Sequence, residues 1–91
     1  MGNKTFVVSS NVRSVVTEEG AVLMDIQSGS MFTVNMIGGF IWQRLAAGRS
    51  IEQIAADVSM ECRAANQQEV LVDVGDFAQE LEDKRLICAS K

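Results

Sequence analysis

Between Ser28 and Trp42 the chain leaves itself almost no freedom. Ser28-Gly29-Ser30 reads as a turn, Met31-Phe32-Thr33-Val34 as a short strand, and Asn35 as the cap of a helix carrying Gly38-Gly39-Phe40-Ile41-Trp42. Turn, strand and capped helix follow one another without a spare residue. A strand so placed can be the open edge of a small sheet, and an open edge can accept another chain as an extra strand. No other stretch offers chemistry as specific.

The preceding residues read as the rest of that sheet. Val12 to Val16 is β-branched and partly alternating, Thr17-Glu18-Glu19-Gly20 is a turn candidate, and Ala21 to Ile26 is a second strand. Gln27-Ser28-Gly29-Ser30 supplies a tight hairpin in which Gly29 takes positive φ. Phe6-Val7-Val8 adds a short extra strand at the start.

The remainder reads as three helices. The Asn35 side chain can accept from the orphan amides of the first turn, and the helix runs to about Ala47 before Gly48 ends it. Gly38-Gly39 costs about 1 kcal/mol per glycine in a helix interior, so close packing against a neighbour is expected to require it. Ser50-Ile51-Glu52-Gln53 is a capping box, and Ile51, Ile54, Ala55 and Val58 form the inward stripe of a second helix ending near Met60 or Cys62. After a polar connector, Arg63 to Gln67, a third helix runs from Gln68 to about Lys84. Val70, Val74, Phe77 and Leu81 share its core stripe, and Leu86-Ile87 packs as the helix finishes.

Two flanks of the third helix remain. Glu69, Asp73, Asp76, Glu80 and Asp83 form an acidic stripe, which is either a solvated face or a site for a basic group. Leu71, Gly75 and Ala78 on the other flank leave a shallow apolar groove, open unless another element of the chain fills it. On the third strand, Met31 and Thr33 face one way and Phe32 and Val34 the other. One pair serves the core, and the other, turned toward the third helix, would line a slot.

Composition removes most other functions. Eight Lys and Arg are scattered through a chain of net charge −4, which argues against a nucleic-acid partner, whose phosphates need clustered cations. The absence of histidine leaves a metal almost no ligands and gives Cys62 and Cys88 no base. Catalytic residues, metals and cofactors are therefore expected to be none, with both cysteines as reduced, partly buried thiols. No segment approaches the ~18 apolar residues of a membrane span, and the N-terminus carries no signal peptide. One domain over residues 1–91, without membrane attachment and located in the cytoplasm, is the expectation. Trp42 reads as a packing residue.

Gly29, Val34-Asn35, Gly39, Ile41-Trp42 and Asp73-Val74-Gly75-Asp76-Phe77, at these intervals, resemble the PqqD-like family, also called RiPP recognition elements. The resemblance covers Val12 to Ile87. It implies a winged-helix-like α+β fold, a three-stranded antiparallel sheet followed by three helices, which binds the leader segment of a ribosomally made precursor peptide. The leader would add antiparallel to the third strand, Ser30, Met31, Phe32, Thr33 and Val34, walled by the third helix through Leu71, Asp73, Gly75, Asp76 and Ala78. A free-standing chain of this size resembles either PqqD, which presents its peptide to a radical-SAM enzyme, or the discrete B1 subunit of lasso-peptide systems, which serves a leader peptidase. The acidic, histidine-free chain favours B1. Gly75 stands where the family more often has a bulkier or charged residue. The rival readings are a winged-helix DNA binder, opposed by the acidic third helix, another protein-interaction module, a small enzyme, and a homodimer pairing third strands. The last would replace the expected monomer.

Overall fold

The structure is a computed structural model of the chain and describes residues 4–62 and 66–90. Strands β2 (Val12–Thr17), β3 (Gly20–Asp25) and β4 (Ser30–Asn35) form an antiparallel sheet in that order. Helices α1 (Met36–Ala46), α2 (Ile51–Cys62) and α3 (Gln67–Asp83) follow. The expected α+β arrangement is present. A two-stranded ribbon joins it: β1 (Phe6–Val8) pairs antiparallel with β5 (Ile87–Ala89), so Leu86-Ile87 leads into a strand instead of only packing.

Local chemistry explains each junction. Gly20 closes the β2–β3 hairpin at φ +150°, where a Cβ would sit 2.1 Å from the Val34 carbonyl oxygen. Strand β3 stops one residue earlier than expected. The Asp25 carboxylate accepts from the amides of Gln27 (2.9 Å) and Ser28 (3.3 Å), folding Ile26–Gly29 into a loop, with Gly29 at φ +78°. Asn35 is both the last residue of β4 and the cap of α1, its Oδ1 accepting from the Gly38 amide at 2.8 Å. The capping box closes in both directions: Ser50 N–H donates to Gln53 Oε1 (3.0 Å) and Gln53 N–H to Ser50 Oγ (3.2 Å). Asn66 caps α3 through the Glu69 amide (3.1 Å), starting the helix at Gln67. Arg63–Ala65 of the expected connector lie outside the described residues.

The core lies between the sheet and the helices, with Leu23, Trp42, Leu45, Ile54, Val74, Leu86 and Ile87 fully enclosed. Helix α1 crosses the sheet closely enough that a Cβ on Gly39 would meet the Gly20 backbone at 3.1 Å. One on Gly38 would meet Val34 Cβ at 2.9 Å and the Phe77 ring at 3.3 Å. The glycine pair therefore sets how near β4, α1 and α3 come together. Cys62 and Cys88 are unbridged and both exposed, contrary to the partly buried thiols expected. Among the described residues no helix is long and apolar enough to cross a membrane.

Candidate functional site

Among the described residues strand β4 has one neighbour, β3. Which of its backbone groups are used follows from alternation along the ladder. The Ile26 amide donates to the Asn11 carbonyl at 2.9 Å, extending the β2–β3 ladder by one rung. Counting back by twos, Met24 and Val22 bond toward β2, while Asp25, Leu23 and Ala21 bond toward their β4 partners Ser30, Phe32 and Val34. The amides and carbonyls of Met31 and Thr33, together with the Asn35 amide, consequently face the outer edge of β4, away from β3, while the Asn35 carbonyl belongs to the first turn of α1. A strand in this state has its acceptors and donors already aligned for another extended chain.

Helix α3 runs beside that edge in the opposite direction and encloses a cleft with it. Two adjoining hollows of about 270 and 410 Å³ make up the cleft. The first lies between Met31–Val34 and the side chains of Phe77, Glu80, Leu81 and Lys84. The second continues past Asn35 to Asp73, Phe77 and Glu80, floored by Ile37, Gly38 and Ile41 of α1. Phe32 and Val34 are half-buried and share the sheet face of Leu23 and Ala21, so their side chains form the strand wall of the cleft. Met31, 61% exposed, and Thr33 point to the opposite face of the sheet and border the cleft only at its rim. Lys84 stands at the Phe32 end, its Nζ 5.5 Å from the Phe32 ring centroid and 3.6 Å from Glu80 Oε2.

All five expected strand residues, Ser30 to Val34, thus lie on the open-edged strand. The expected helix wall is only partly there. Asp73 lines the cleft, whereas Asp76 is exposed outside both hollows. Leu71 faces a separate hollow of α2 and α3, with Ala55, Ala56 and Ser59. Ala78 is 1% exposed and belongs to the core, and a Cβ on Gly75 would meet nothing within 4 Å. These placements have one cause: α3 is turned so that Val74, Ala78 and Leu81 point inward. Phe77, expected in the core stripe, is rotated to the cleft. The wall is therefore Asp73, Phe77, Glu80 and Lys84, spaced 4-3-4 along one face. That spacing is visible in the sequence, and a stripe carrying one aromatic among three charges is the signal that could have marked it.

Known proteins share this fold. The family model for coenzyme PQQ synthesis protein D (PqqD) matches residues 20–87. The structure of TbiB1 in complex with the TbiA(beta) leader peptide is 28% identical, covers 89% of this chain and 93% of that one, and superposes with a TM-score of 0.81. A lasso peptide synthetase B1 complexed with the leader peptide has 23% identity, covers 91% of this chain and 96% of its own, and shares the fold with a TM-score of 0.82. No curated protein sequence matches. The matched span runs from the first residue of β3 to the first residue of β5 and includes both walls of the cleft, so this chain belongs to the PqqD family.

Proposed function

We propose that the β4 edge receives the leader segment of a ribosomally made precursor peptide as an added antiparallel strand, and that the protein presents this peptide to a processing enzyme. The open edge of β4 is the observation that carries the reading. Main-chain hydrogen bonds to Met31, Thr33 and Asn35 would contribute about 1 kcal/mol each net and hold an extended chain of any sequence. Selection would come from Phe32, Val34 and Phe77, whose apolar surfaces line the cleft. Leucine, methionine or aromatic side chains of the leader would bury there. No bond is made or broken in this account. The protein acts as a monomeric adaptor that raises the local concentration of its cargo at an enzyme.

TbiB1, related over nearly its whole length and solved with a leader peptide, supports assigning the cargo to this class. The enzyme served, on the resemblance to the B1 subunits of lasso-peptide systems, is a leader peptidase. The PqqD match favours a second reading, presentation to a radical-SAM enzyme. Neighbouring genes separate them: a short precursor beside a peptidase and a cyclase gives the first, a radical-SAM gene the second.

The direct test is titration of a fluorescent leader from the neighbouring precursor gene against wild type and Thr33→Pro. Proline removes an outward amide while leaving the β3–β4 bonds of Phe32 and Val34 in place. Binding weakened on the order of tenfold or more, with unchanged circular dichroism, is expected. Equal affinities would contradict strand addition at Thr33.

A further inference from the structure

Charge is distributed unevenly along the cleft. Asp73 lies at the Asn35 end, Glu80 midway, and Lys84 at the Phe32 end. This follows from the opposed directions of β4 and α3, which set the start of the helix beside the end of the strand. Lys84 is held at its end by the Phe32 ring (5.5 Å) and Glu80 (3.6 Å), while Asp73 has no ion-pair partner among the described residues.

Resting on the proposed strand addition, we infer that the cleft reads the order of charge in its cargo: a basic residue first, then two apolar residues two positions apart, then an acidic residue. The sheet is antiparallel throughout, and antiparallel ladders are slightly more stable per residue than parallel ones. An added antiparallel strand has its N-terminal side at Asn35 and its C-terminal side at Ser30. Its residues opposite Val34 and Phe32 share their face, point at α3 and are separated by one residue. A lysine or arginine preceding them reaches Asp73 and Glu80. A carboxylate following them reaches Lys84. The apolar pair supplies affinity, and the charges supply direction and reject the reversed order.

The groups are exposed, so each matched pair is worth only about two- to fivefold in affinity. Two matched pairs set against two clashes separate the alternatives by on the order of tenfold. The test uses two synthetic peptides of identical composition, one with lysine before and glutamate after a Leu-x-Leu centre, the other with the charges exchanged. Both are titrated by fluorescence anisotropy against wild type and the net-neutral swap Asp73→Lys with Lys84→Glu. Wild type is expected to favour the lysine-first peptide about tenfold, the swap to favour the other, and both preferences to shrink at high salt. Equal binding of the two peptides by wild type would overturn the charge order and leave strand addition standing. Preference for glutamate first would overturn the antiparallel direction. Binding of neither, by either protein, would overturn the strand-addition reading together with this one.

Discussion

Helix α3 is flanked by a hollow on each side, and the two are made differently. Toward α2 the walls are Glu52, Ala55, Ala56, Ser59 and Leu71, all on helices whose backbone groups bond within their own turns. Toward β4 one wall is a strand with free backbone donors and acceptors. Side chains alone can discriminate in the first hollow. The second can bind main chain and then discriminate, which is what an adaptor for peptides of varied sequence requires.

Substitutions on α3 test whether the two hollows are as independent as this implies. Phe77→Ala strips apolar surface from the β4 side and is expected to weaken leader binding on the order of tenfold, read by the same titration. Leu71→Ala removes comparable apolar surface from the α2 side and should leave affinity unchanged; equal losses from both would erase the distinction. Arg85 ends the helix at φ +62°, with the Leu86 amide bonded to the Leu81 carbonyl at 3.0 Å. Glycine fits that conformation without the steric cost of a side chain, so Arg85→Gly should stabilise by up to about 1 kcal/mol in thermal unfolding. It should leave binding intact, since the residue borders neither hollow. Ser59 Oγ is buried without a partner among the described residues, beneath the α2 side. Ser59→Ala should change stability by no more than about 0.5 kcal/mol, or raise it slightly, because no hydrogen bond is lost.

The parts of the fold legible in the sequence are those written locally. Asn35, the Ser50–Gln53 box and Gly29 each act within a few residues, and their roles can be read without knowing what lies across the molecule. Gly38-Gly39 signalled a close approach, though not that Gly20, Val34 and Phe77 would be the neighbours. Long-range pairing was harder: nothing near Ile87 says that its partner is Val8, at the other end of the chain. The rotation of α3 was hardest. Val70, Val74, Phe77, Ala78 and Leu81 offer two overlapping apolar stripes about 100° apart, and which one turns inward depends on how α2 and β5 pack against the helix. The strand half of the site was therefore readable, while the helix half, Phe77, Glu80 and Lys84, required the tertiary structure.

Hydrogen exchange at single amides of β4 can tell a paired edge from an open one, because inward and outward amides alternate along the strand. With the leader absent, the amides of Phe32 and Val34 should exchange slowly and those of Met31, Thr33 and Asn35 quickly. At saturation with the leader the second set should slow markedly, with the first little changed. A bound leader that leaves Met31 and Thr33 exchanging as fast as in the free protein would contradict the account.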